Sequence, residues 1–254
     1  MDWDLNNWIL VFVRAGAFLA ILPIFTMLNV PVQMRVALAA LLAVLVAPTL
    51  PPFPFAHMDL LDWFGLLIRE VLCGLLIGFV TRMVFFASDF AGQLISNEMG
   101  LNLASIFDPV NARPTQAPGM VMFLLTCVMM MSLDMHHWLL TGFQYTYSLV
   151  PIGAASLRES LFVNILDHTS RVFLVGLQIA GPLIAASFLA LLLLGFLGRL
   201  VPQMNIFAES FAVRITCGLL VFAFTLQISA QHILNGLRRL PQDMMRVAQF
   251  LGVG

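Results

Sequence analysis

Apolar positions along this chain fall in long blocks instead of alternating, and the blocks are interrupted by prolines and by isolated charges. Residues 8–25, 36–46, 63–87, 119–133, 172–198 and 215–234 are the main runs, and blocks of this length predict helices. A helix crossing lipid needs about 20 apolar residues to span about 30 Å. Only 172–198 and 215–234 are free of charge over such a length. The first run carries Arg14 near its middle and Pro23 toward its end, and the second closes on Pro48, Pro51, Pro52 and Pro54. The third holds Arg69, Glu70 and Arg82, and the fourth stops at Asp134, His136 and His137. Gly181-Pro182 inside the fifth predicts a kink or break, because proline lacks a backbone donor and clashes with the preceding turn. The pattern describes an all-α, multi-helix, integral membrane-associated protein with kinked or broken helices and helical hairpins, read as one domain over residues 1–254.

The isolated charges constrain how these helices are placed. Each charge facing lipid at mid-depth costs about 2.5 to 3.5 kcal/mol. Arg14, Arg69, Glu70, Arg82, Arg171 and Arg214 are therefore expected to be buried against protein or a water-filled cavity, with Arg14, Arg82 and Arg171 bonded to carboxylates or helix-end carbonyls. Arg69 and Glu70, at the start of their run, are also placed to pair or to lie at an interface. Gly74 and Gly78, like Ala39, Ala43 and Ala47, are small residues at four-residue spacing, which lets helix backbones approach closely.

Residues 89–118 break the block pattern. The stretch opens as an amphipathic helix, with Phe90, Leu94, Ile95 and Met99 at helical spacing. From Gly100 it dissolves, since Pro109, Pro114 and Pro118 exclude a continuous helix. Leu101, Leu103, Ile106 and Phe107 are too apolar for a disordered linker. A loop of this length beside apolar helices is expected to be functional.

Composition narrows the class further. Charged residues make up 10% of the chain, where soluble domains run near 25%, and hydrophobic residues make up 61%. The net charge of −1 provides no field to gather nucleic acid. All 12 basic residues are Arg, so Schiff-base chemistry and a phosphate-loop lysine are excluded. Cys73, Cys127 and Cys217 lie far apart in apolar runs and read as buried thiols, not as a disulfide framework or zinc knuckle. Asp2 and Asp4 stand where a cleavable signal would carry basic residues. Arg238, Arg239 and Arg246 against Asp243 tilt the balance toward a cytoplasmic C-terminus.

No Gly-x-Ser-x-Gly motif or phosphate-cradling loop is present. Adjacent histidines on a helix point about 100° apart, and neither His136 nor His137 has a second His at i+4, so no metal ligand pair is expected. Asp134, His136 and His137 read instead as a polar helix cap, with Trp138 anchoring at headgroup level. Met129, Met130 and Met131 read as adaptable core filler. No catalytic group, cofactor or metal is expected.

A series of short blocks carries a resemblance. They are Arg14 with Pro23-Ile24-Phe25, Val30-Pro31 with Arg35, and Ala91-Gly92-Gln93-Leu94-Ile95 followed by Met99-Gly100 and Asp108-Pro109. His136-His137-Trp138-Leu139, Pro151-Ile152-Gly153 and Pro202-Gln203-Met204-Asn205-Ile206-Phe207 continue it. In this order, and over nearly the whole chain, they resemble the FliR family of flagellar export-gate membrane proteins, which has counterparts in type III injectisomes. The chain departs from the family pattern at Asp134-Met135, where Asn-Gly is usual, and at Ser210-Phe211-Ala212, where Gly-Phe-Pro is usual.

The resemblance implies a non-enzymatic subunit that assembles with several copies of two smaller gate membrane proteins. It further implies contact with downstream export-apparatus membrane proteins and with membrane lipid, and passage of unfolded secreted chains through the centre. It places the protein in the bacterial inner membrane at the flagellar basal body. It also makes residues 100–118 a channel plug, with Gly100 and Pro109 setting bends, Ile106 and Phe107 filling the constriction, and Asp108 beside them. Pro202, Gln203, Asn205 and Phe207 are its family motif. An injectisome gate subunit is the nearest alternative. A secondary transporter would show a hydropathy repeat, and an intramembrane enzyme a nucleophile or metal set; neither is legible in the sequence.

Overall fold

The computed structural model describes residues 5–27, 30–53, 59–102, 117–156, 158–201, 203 and 205–252, the side chains of 26, 27 and 206–208 excepted. Among the described residues all regular structure is helical, as the block pattern predicts. In chain order the helices are α1 (Leu5–Ile21), α2 (Pro23–Met27), α3 (Val32–Val46, ending in a 3-10 turn Ala47–Thr49) and α4 (Leu60–Glu98). They continue as α5 (Ala117–Ser132), α6 (Met135–Leu149), α7 (Glu159–Leu200) and α8 (Ile206–Leu251). Val32–Thr49, α4, α7 and Glu209–Leu251 are long and apolar enough to cross a membrane, and α5 with α6 qualifies as one broken span. The chain is an integral membrane protein in its build.

Two elements differ from the sequence reading. Helix α4 runs through Asp89 to Glu98 without interruption, so the amphipathic segment is its last part and not a separate element. Helix α7 continues through Pro182, so of the kink or break expected there the break is absent. A proline removes one backbone bond, and 42 residues supply enough others on either side to carry the helix on. Helix α4 stops at Gly100, whose φ of 73° is a left-handed conformation that glycine adopts without a Cβ penalty. There the Leu101 N–H reaches the Ser96 carbonyl at 3.1 Å, closing a Schellman-type cap.

Two compact units divide the chain. The first comprises Met1–Met83, Met131–Thr169 and Leu237–Gly254, and the second Val84–Met130 and Ser170–Gly236, so α4, α5, α7 and α8 contribute residues to both. In the first unit, α1 buries Asn7, Leu10, Val11, Arg14, Ala15, Phe18 and Leu19, a seam at helical spacing on which an arginine stands among apolar side chains. The Gly74 and Gly78 step lies on the α1 backbone: a Cβ on Gly74 would collide with the Arg14 carbonyl, and one on Gly78 would lie 3.0 Å from the Phe18 carbonyl. Across α1, Ala39 and Ala43 of α3 are fully buried, with Ala39 facing Gly16. Both small-residue series thus seat helices at close range.

In the second unit the last part of α4 takes the same role. Gly92 meets Gly119 of α5 backbone to backbone, Ser88 and Thr126 hydroxyls bond at 2.9 Å, and Phe85 packs on Phe123 at 5.7 Å. Phe90 packs edge-on against Phe173 of α7 beside Gly176, and Met99 lies against Gly218 of α8.

Candidate functional site

Arg14 in the first unit has no solvent exposure, and each nitrogen of its guanidinium has an acceptor. Its Nε donates to Glu70 Oε2 and its Nη2 donates to Glu70 Oε1 at 3.0 Å, a bidentate fork between α1 and α4. Its Nη1 donates to the Val150 carbonyl at 3.1 Å, at the end of α6 where that carbonyl has no helical partner. Its Cζ lies 4.1 Å from the centroid of the Tyr147 ring, within cation–π range. Glu70, equally buried, accepts a further bond from the Gly153 N–H at 2.9 Å.

Arg69, the next residue outward on α4, donates to the carbonyl of that same Gly153 at 3.1 Å. Consecutive helical side chains diverge by about 100°, so Glu70 faces inward to Arg14 while Arg69 stays exposed and grips the far side of the Gly153 residue. The turn needs glycine: its φ is 75°, and a Cβ there would meet the Leu66 side chain. The opposite charges cancel, and the polar atoms that remain are spent on backbone. The arrangement ties α1, α4 and the turn after α6 together.

Of the six residues expected to be buried charges, the chain by itself buries Arg14 and Glu70. Arg82 and Arg214 are half-buried, and Arg69 and Arg171 are exposed on the isolated chain. Arg82 and Arg171 each have interaction partners. Of the plug residues, Gly100 is the helix cap described above, whereas Ile106, Phe107, Asp108 and Pro109 lie outside the described residues. Pro202 also lies outside them. Gln203 is in the turn before α8, the Asn205 carbonyl accepts the Glu209 N–H at 3.1 Å as the N-cap of α8, and Phe207 lies in its first turn. Helix α8 passes unbroken through Ser210-Phe211-Ala212.

Sequence spacing underestimated one constellation. Ligand atoms of Asp134, His136 and His137 lie within 4.8 Å of one another, with the two imidazole centroids 4.1 Å apart. Cβ atoms in a helix lean toward its N-terminus, so both rings of the first turn of α6 overhang the residue just ahead of it despite their 100° separation.

A family model described as bacterial export proteins, family 1, matches residues 5–240. A protein named flagellar biosynthetic protein FliR from Bacillus subtilis (strain 168) is 30% identical over 85% of this chain and 87% of its own length. Proteins of the same name from Pectobacterium carotovorum subsp. carotovorum and Escherichia coli (strain K12) are each 28% identical over 96% of this chain, covering 96% and 94% of their lengths.

Proposed function

We infer the function of this chain from its family, for it belongs to the bacterial export proteins, family 1, and its curated relatives carry the name flagellar biosynthetic protein FliR. It is a subunit of the flagellar type III protein export gate, placed in the bacterial inner membrane at the flagellar basal body with a cytoplasmic C-terminus. It forms part of the channel through which unfolded flagellar proteins pass. It performs no catalysis of its own, and its partners are two smaller gate membrane proteins in several copies and the downstream membrane proteins of the apparatus.

The observation that supports its assembly with protein partners is the extent of uncovered apolar surface on α7. Phe162, Leu166, Phe173, Leu177, Phe188, Leu193, Phe196 and Leu200 are all exposed on the isolated chain. At 1.5 Å per residue these positions extend over about 57 Å. A hydrocarbon layer of about 30 Å, even with the helix tilted by 40°, covers only about 39 Å of it. Lipid alone therefore leaves part of this surface in water, and apolar surface of that extent calls for protein partners.

Co-expression tests the assembly. The chain expressed alone is expected to aggregate in detergent, while the chain expressed with the other gate proteins yields one complex of discrete mass containing it. A monodisperse, detergent-stable chain without partners would refute the assembly. Within the same reading, residues 100–118 plug the closed channel, supported by their apolar, proline-broken sequence and by the cap at Gly100 that ends α4 just before them. Deleting 102–115 should leave the complex assembled and make the membrane permeable to small ions, measured as conductance or solute uptake. An assembled complex with unchanged permeability would show that the seal lies elsewhere.

A further inference from the structure

We propose that Asp134, His136 and His137 form a binding site for one divalent transition-metal ion of the zinc and nickel class, seated at the first turn of α6. Nothing in the proposed gate role calls for this site, and it stands or falls independently of it.

The donor set selects the ion. Two imidazole nitrogens and one carboxylate oxygen suit zinc, nickel, cobalt and copper, whereas magnesium and calcium favour all-oxygen shells. Ligand atoms sharing a tetrahedral metal at about 2.1 Å lie about 3.4 Å apart. Asp134 Oδ1 and His137 Nδ1 are already 3.7 Å apart, and the whole set spans no more than 4.8 Å. Small side-chain rotations of Asp134 and His137, both largely exposed, close the remainder.

Two features of the surroundings support a metal here. His136 Nδ1 is shut off from solvent and has no hydrogen-bond partner, so a turn of the ring that brings it to a metal held by Asp134 and His137 would satisfy a nitrogen that neither water nor protein satisfies. Asp134 occupies the position ahead of α6 where an aspartate ordinarily caps the helix, yet its side chain makes no cap bond. Its carboxylate is turned toward His137 instead. Three protein ligands leave at least one coordination position for water, which makes this an open site and not a closed structural one.

The test uses the chain purified from its membrane together with whatever proteins accompany it, carrying no histidine tag and stripped of metal. Zn²⁺ is titrated by equilibrium dialysis with metal analysis, in parallel with His136→Asn, His137→Asn and Asp134→Asn variants and with His232→Asn on α8 as a control. Asparagine is chosen at 134 because it tolerates the left-handed conformation found there, with φ of 53°. One Zn²⁺ per chain is expected for the parent and the control, with each triad variant at least about tenfold weaker, the loss that even outer-sphere partners of metals can cause. Co²⁺ bound to the unmodified protein should add visible absorption from nitrogen ligation, a readout that needs no variant to fold. Absence of that absorption, or equal Zn²⁺ binding by the parent and the His136→Asn/His137→Asn double variant, overturns the proposal.

Discussion

Replacing Glu70 by Ala is expected to cost about 3 to 5 kcal/mol, enough to abolish recovery of the assembled protein, because it strands Arg14 as an unpaired charge in the interior. Arg14→Ala should do comparable damage from the other side, leaving the Glu70 carboxylate buried with the Gly153 N–H as its remaining named bond. The informative variant is the pair Arg14→Met with Glu70→Leu. Desolvating two ions offsets much of their mutual attraction, so an apolar pair of similar volume often matches or exceeds a buried ion pair. Here the replacement orphans the Val150 carbonyl and the Gly153 N–H as well, at about 1 to 3 kcal/mol each. The double variant should therefore be more stable than either single variant and less stable than the parent, read as yield and melting temperature of the co-purified complex. If the single variants assemble at normal yield, the network is not what holds the turn after α6 in place.

Substitution of glycines should divide by sign according to what each one touches. Gly74→Ala and Gly92→Ala place a Cβ against backbone, the Arg14 carbonyl in one case and Gly119 in the other. Backbone cannot swing aside as a side-chain tip can, so whole helices must separate, at about 1 to 3 kcal/mol or more. Gly65 and Gly195 are also helical, but a Cβ added at either would have nothing within 4 Å of it. Ala there should stabilise by about 0.5 to 1 kcal/mol through the reduced freedom of the unfolded chain. Thermal melting of the four variants side by side checks this; a fall in melting temperature for Gly195→Ala as large as for Gly74→Ala would show that close approach is not the operative distinction.

The fold class was legible because unbroken apolar blocks leave little choice but helices, and the Gly74 and Gly78 step was legible as a contact. What spacing could not supply was the partner in that contact, since any of several helices could have met it. Arg14 stood out as a charge in an apolar run, yet Glu70 as its partner was not readable: Arg69 is closer in sequence to Glu70 and carries the same charge as Arg14. Only the 100° turn between consecutive residues separates the inward carboxylate from the outward guanidinium. The run-on of α4 past Asp89 was missed because a polar residue in an apolar pattern reads as a boundary, whereas Asp89 accepts a local bond from Gln93 one turn on, at 2.9 Å, and the helix continues. The convergence at Asp134, His136 and His137 depends on side-chain lean at a helix start, which residue spacing does not encode.

The bonds of Arg14 also impose an order on biogenesis. Its carboxylate partner lies 56 residues later in the chain and its carbonyl partner 136 residues later. At synthesis rates of 5 to 20 residues per second, Glu70 emerges roughly 3 to 11 s after Arg14, and Val150 roughly 7 to 27 s after it. Helix α1 therefore leaves the ribosome carrying an unmatched charge on its apolar seam, and cannot settle into its final environment until α4 and the end of α6 have followed. The first unit waits longer still, because the Leu251 carbonyl accepts the Ser156 N–H at 2.9 Å and the last turns of α8 bury Leu240, Met244 and Val247. Its first helix and the last turns of α8 stand at opposite ends of this sequence, so the unit closes only once α8 has been made.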